Sequence, residues 1–104
     1  MEHKNIVATI YLKDGMAVKD PAHTDEKQDV LELARLYNDS GIDKIICYDL
    51  SDEDEEHEKN ILAIREINRN IEIKTCGGGN IKRLEDVKKY LYAGCVEVIL
   101  NGSK

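Results

Sequence analysis

The chain has 104 residues, 41% of them apolar, with five tyrosines, no tryptophan or phenylalanine, and a net charge of −6. That length leaves room for one small domain with a core of Ile, Leu, Val and Ala, near the lower size at which a single core is self-sufficient. Scattered Lys and Arg on an acidic chain argue against a nucleic-acid surface, which needs a basic stripe, and no run approaches the roughly 18 apolar residues of a membrane span.

Met1-Glu2-His3-Lys4-Asn5 leads into a short apolar stretch with no basic n-region, long h-region or cleavage site, so a cytoplasmic protein is expected. Ile6 to Leu12 reads as the first strand. After Asp29, the residues Val30, Leu33, Ala34 and Tyr37 fall at i, i+3, i+4 and i+7, and Gly41 follows as a stop, which predicts an amphipathic helix. Lys44 to Leu50 is the second strand. The acidic run Ser51 to Glu58 could offer oxygens and His57 to a metal, but no spacing of a calcium loop is present. The expected role is structural: Ser51 or Asp52 caps a helix whose first-turn acids complement the positive end of its dipole. That helix runs from Glu56 to Asn70, with Ile61, Leu62, Ile64 and Ile67 on its apolar face.

Ile71 to Cys76 is the third strand, and its alternation of apolar and polar residues predicts one wet or paired face. Leu84, Val87, Tyr90, Leu91 and Ala93 mark a third helix ending at Gly94, and Val96 to Leu100 a fourth strand. The order is βαβαβαβ, which predicts right-handed crossovers and a parallel sheet in an α/β fold.

Two strand ends carry the candidate chemistry. Gly77, Gly78 and Gly79 follow the third strand, and Asn101, Gly102 and Ser103 follow the fourth. A run without Cβ atoms lets main-chain N–H groups converge on an anion, so these six residues are the expected phosphate cradle. Cys47, Cys76 and Cys95 are odd in number and lack the paired short spacings of a zinc site, so reduced, buried thiols are expected, with no metal and no cofactor.

Taken in order, several segments resemble the histidine-biosynthesis (βα)8 barrels, the phosphoribosylformimino-aminoimidazole-carboxamide ribotide isomerase and the cyclase subunit of imidazole glycerol phosphate synthase. They are Leu12-Lys13-Asp14-Gly15 with Val18-Lys19, Leu33-Ala34, Gly41-Ile42-Asp43, Tyr48-Asp49-Leu50-Ser51, Gly77-Gly78-Gly79-Asn80-Ile81, Leu84-Glu85-Asp86-Val87, Ala93-Gly94 and Asn101-Gly102-Ser103-Lys104. Asp49-Leu50-Ser51 and Gly102-Ser103 look more like the isomerase, which is the favoured member, whereas Leu12-Lys13-Asp14-Gly15 looks more like the cyclase. The resemblance covers the whole chain but only the first half of a family barrel, so residues 1–104 are expected to form one half-barrel domain.

The resemblance implies that this half holds one phosphate of a phosphorylated sugar substrate, or inorganic phosphate, at Gly77 to Gly79 and Asn101 to Ser103. It also implies a catalytic aspartate at the position of Tyr11, one of two carboxylates for an Amadori rearrangement. A phenol with an ordinary pKa of about 10 cannot be a carboxylate base near neutral pH, so the chain alone is expected not to turn over. Tyr11 then either fills the barrel mouth or donates a proton. Asp49, at the end of the second strand where barrels put chemistry, either takes part in the reaction or caps the following helix. Lys13 and Lys19 either attract an anionic substrate or lie solvated at the surface.

A four-stranded half leaves its inner face and both edges open, so it is expected to form a homodimer, through strands one and four or through its inner face, or to pair with a C-terminal half-barrel. No nucleic-acid or membrane partner is expected. Two alternatives stand beside this reading: a non-catalytic phosphate-binding module, and a regulatory domain of flavodoxin-like or receiver-like fold.

Overall fold

The computed structural model describes residues 6–79 and 84–99. Strand β1 (Val7–Lys13) turns at Asp14 and Gly15, both at positive φ (57° and 78°), into the antiparallel β2 (Met16–Val18), which pairs in turn with β3 (Lys27–Gln28). Positive φ at both central residues is what a two-residue hairpin turn with the right twist requires, and Asp-Gly supplies it at low steric cost. This hairpin lies outside the βαβαβαβ pattern, although its Asp-Gly signal is present in the sequence.

The remaining elements alternate as the periodicity predicts. Helix α1 (Val30–Asp39) begins at Asp29, whose carboxylate accepts from the Leu31 N–H at 2.8 Å. Strand β4 (Lys44–Asp49) follows, then α2 (Asp54–Asn70), β5 (Lys74–Gly79), α3 (Leu84–Tyr92) and β6 (Glu97–Val98). Neither Ser51 nor Asp52 caps α2: its N-cap is Glu53, with no side-chain capping bond, and Asp54, Glu55 and Glu56 fill the first turn. Strand β5 begins three residues later than expected, because Ile71 closes α2 and is buried there. The alternation of residues 71–73 therefore belongs to a helix end and its connection, and only Lys74 and Thr75 of the alternating stretch lie in the strand.

The sheet order is β3-β2-β1-β4-β5-β6, and β1, β4, β5 and β6 pair in parallel as consecutive neighbours. A doubly wound flavodoxin-like sheet reverses its strand order near the first strand, and here no reversal occurs. Consecutive right-handed crossovers stack their helices on one face. Accordingly α1 packs on α2, α2 packs on α3, and all three share one core with Ile10, Leu12, Ile45, Cys47, Ile64, Ile67 and Tyr90. This is a strip of (βα) barrel with its helix layer in place. On the other face Thr9, Tyr11, Ile46 and Tyr48 are only half-buried.

The edges differ from expectation. Strand β1 is not free along its outer side, because Tyr11, Leu12 and Lys13 pair with Val18, Ala17 and Met16 of the hairpin. Its pairing capacity for another chain is confined to the N-terminal part of the strand. Among the described residues no helix is long and apolar enough to cross a membrane.

Candidate functional site

Parallel register brings the C-terminal ends of three strands level. Tyr11, Tyr48 and Gly78 form one row, and Leu12, Asp49 and Gly79 form the next. Side chains alternate between faces along a strand, so the first row faces the half-buried side and the second faces the helices. Asp49 is thus directed inward, and only 2% of it is exposed.

Four groups converge on its carboxylate. The Ser51 N–H donates to Oδ1 at 2.9 Å and the Asn60 amide donates to the same oxygen at 2.5 Å, while His57 Nδ1 and, at 3.4 Å, the Tyr90 hydroxyl approach Oδ2. Asp49 therefore neither caps α2 nor faces the mouth in reach of a substrate; it is the centre of a buried polar cluster. Asn60 extends that cluster to the hairpin by donating to the Leu12 carbonyl at 3.1 Å and accepting from the Gly15 N–H at 2.7 Å. The far nitrogen of His57 lies 3.5 Å from Asp86 at the start of α3. Buried polar groups such as Asp49 and Asn60 require the hydrogen bonds they make here, since each one left unmatched costs about 1–3 kcal/mol, whereas His57 Nε2 and Asp86 Oδ1 meet at an ion-pair distance without a hydrogen bond between them.

The three glycines are not equivalent. A Cβ on Gly77 would lie 2.6 Å from Cγ of Tyr90, and one on Gly79 would lie 2.6 Å from the Asp49 nitrogen, where φ is also +102°. Both positions need glycine for packing or conformation. A Cβ on Gly78 would meet only ordinary contacts at 3.6 Å with Tyr48 and Ile99, on the face opposite the helices. Tyr90 is fully buried beneath the run, and its hydroxyl donates to the Gly78 carbonyl at 3.0 Å. Burial, reinforced by the Asp49 charge, pushes its phenol far above the ordinary range, so it is a neutral donor.

Tyr11 is half-buried beside Tyr48, with ring centroids 5.8 Å apart and planes tilted by 58°. Lys13 is not a solvated cation: its ammonium meets Asp52 at 3.0 Å and Glu56 at 3.2 Å, and the Asp52 bond, opposed only in part by burial, raises its pKa. Lys19 is exposed. Of the expected cradle, Gly77, Gly78 and Gly79 stand at the end of β5, while Asn101, Gly102 and Ser103 lie outside the described residues. Among the described residues no three metal-ligating side chains cluster. The three cysteines are free and buried.

Sequence reasoning weighed His57 only as a metal ligand and Tyr90 only as part of an apolar helix face, and it passed over Asn60. Their signal was a His and an Asn three residues apart on the apolar face of α2, masked by the acids around them, and the one aromatic at the centre of the α3 face.

A family model described as "Histidine biosynthesis protein" matches residues 5–104. Among similar proteins, the Campylobacter jejuni (strain RM1221) imidazole glycerol phosphate synthase subunit HisF is 33% identical over 100 residues, 94% of this chain and 39% of that protein. Proteins of the same name from Stenotrophomonas maltophilia (strain K279a) and Halalkalibacterium halodurans are 31% and 34% identical, covering 97% and 94% of this chain and 40% of each relative. The chain spans about two fifths of the length of these relatives.

Proposed function

We propose that this chain, which belongs to the histidine biosynthesis protein family, is the phosphate-binding N-terminal half-barrel of an enzyme like the imidazole glycerol phosphate synthase subunit. The relatives named above support the synthase subunit over the isomerase, as Leu12-Lys13-Asp14-Gly15 does. Residues 1–104 would then form one half-barrel unit that pairs with a C-terminal half or with a second copy. The ligand would be a phosphorylated sugar, held at Gly78 and Gly79 with Asn101, Gly102 and Ser103 beside them.

The observation that carries this reading is the triglycine at the C-terminal end of β5, pinned from below by Tyr90, with room for a Cβ only at Gly78. Main-chain N–H groups at such a bend bind an anion without a side-chain charge. Titration with inorganic phosphate at low salt, followed by amide NMR, should shift Gly78 and Gly79. Gly78→Val places its branch on the face opposite the helices, where a Cβ meets only ordinary contacts with Tyr48 and Ile99, and should abolish those shifts while the fold persists. Unmoved amides in the wild-type chain would remove the cradle.

The same reading gives the chain alone no turnover. Position 11 carries a phenol, and the Asp49 carboxylate is turned into the helix layer. General acid–base catalysis needs both groups within about 2.6–3.2 Å of one substrate. Neither Tyr11→Asp nor wild type should convert a phosphoribosyl aminoimidazole substrate, and measurable turnover by either would relocate the catalytic pair.

A further inference from the structure

A glycine run without side chains is flexible, and a flexible loop cannot hold N–H groups on an anion without losing conformational entropy when the anion binds. Something must fix the run beforehand. In this chain parallel pairing with Cys47, Tyr48 and Asp49 of β4 holds the run along one side, and a further fixing group comes from α3. The Tyr90 ring occupies the volume that a side chain at 77 would take, and its hydroxyl reaches the Gly78 carbonyl at 3.0 Å. The described peptide bonds are all trans, and a trans peptide carries its N–H opposite its C=O. Holding the Gly78 carbonyl toward the helix layer therefore turns the Gly79 N–H away from it.

The hydroxyl has one proton and, among the described residues, two acceptors within reach, Gly78 at 3.0 Å and Asp49 Oδ2 at 3.4 Å. His57 Nδ1 already bonds that same Asp49 oxygen, and Asn60 and Ser51 donate to the other. A carboxylate so well supplied leaves the Tyr90 proton to the peptide. The arrangement is a chain of contacts running from α2 through the end of β4 and the α3 tyrosine to the loop.

We propose that Tyr90 is the positioning residue of the triglycine anion site, fixing the Gly78–Gly79 peptide so that the Gly79 N–H is presented to a phosphate before the phosphate arrives. This rests on the phosphate reading of the preceding section.

Wild type and Tyr90→Phe, both as the full chain, are titrated with inorganic phosphate by amide NMR. Phenylalanine keeps the ring under Gly77 and removes only the hydroxyl. The expected result is a displaced Gly79 amide resonance in the unliganded variant and a Kd for phosphate weakened about two- to tenfold, the range of one hydrogen bond. Amides remote from the loop should stay in place, which a general loosening of the fold would not allow. A variant that binds as tightly as wild type, with an unmoved Gly79 resonance, would make Tyr90 a packing residue only and leave the phosphate reading intact. A wild type that ignores phosphate overturns both. Should Tyr90→Phe fail to fold, 3-fluorotyrosine placed at position 90 keeps ring and hydroxyl and strengthens the donor: tighter phosphate binding supports the proposal, and unchanged binding overturns it.

Discussion

The two faces of the sheet are built from the same strands but solve different problems. On the helix side, Ile10, Leu12, Ile45 and Cys47 are wholly buried, and even the polar Asp49 and Thr75 are sealed there with partners, Thr75 by donating to the Asn68 side chain at 2.7 Å. On the other side Thr9, Tyr11, Ile46 and Tyr48 of β1 and β4 stop at half burial, and that face is buried at Cys76 and Gly78 of β5. The difference places most of the folding energy in one layer and leaves the β1 and β4 part of the other open. It also explains why adjacent glycines behave differently, since Gly77 belongs to the first face and Gly78 to the second.

The largest effect should come from breaking the sealed face at its polar centre. His57→Ala removes a donor to Asp49 and opens a cavity beneath α2, and should cost about 3 kcal/mol in urea unfolding. A loss below about 1 kcal/mol would mean that water replaces the imidazole and that the cluster is not sealed. Next comes the glycine pair. Gly77→Ala drives a methyl into the Tyr90 ring and should cost about 2 kcal/mol, whereas Gly78→Ala should stay within about 1 kcal/mol of wild type, of either sign. Equal costs at the two positions would erase the distinction between the faces.

Much of this division is legible in the sequence. The helices were marked by apolar spacing and by Asp29, Gly41 and Gly94, and the strand order followed from alternation with helices. The hairpin at Asp14-Gly15 carried its own signal, but the helix-and-strand period hid it because β2 and β3 are too short to show alternation. The β5 boundary slipped because Ile71 and Ile73 read as strand residues while α2 kept the first as its end. The inward turn of Asp49 could not be read at all. It depends on partners 8, 11 and 41 residues away that meet only when α2 and α3 dock, and a strand-end aspartate facing either side has the same local sequence.

The open face gives a smaller effect on the fold and a larger one on assembly. We expect the chain to self-associate through it, because half-buried Ile46 and Tyr48 gain burial at roughly 25 cal/mol per Å² when a second surface covers them. The outer edge of β1 offers less, being paired from Tyr11 to Lys13. Ile46→Lys should change unfolding of the monomer by less than about 1 kcal/mol and weaken association at least about tenfold in sedimentation runs at micromolar concentration. A wild type that stays monomeric throughout would leave the open face to a different partner, and a mutant that unfolds would show that Ile46 belongs to the core.

The thiols offer the finest comparison, and at neutral pH the least effect. Cys47 points into the helix layer, while Cys76 lies in register with Ile46 on the other face and contacts Glu97 at 3.2 Å, which also meets Lys44 at 3.2 Å. Burial pushes both thiols up, Cys47 the further, and burial together with the hydrogen bond to Glu97 brings Cys76 to about 11. A thiol whose folded pKa exceeds its unfolded value favours folding fully below the unfolded value, ordinarily about 8.5, and loses that contribution as pH rises toward the folded one. The fold should therefore weaken between about pH 8.5 and pH 11, and Cys76→Ser should flatten part of that slope without changing stability at pH 7. Alkylation of the native chain followed by mass spectrometry should modify Cys76 before Cys47, at a rate that climbs with pH across the same window. If Cys47 reacts first, the helix layer opens more readily than the edge strand β6 beside Cys76, and the ranking of the two faces by their sealing reverses.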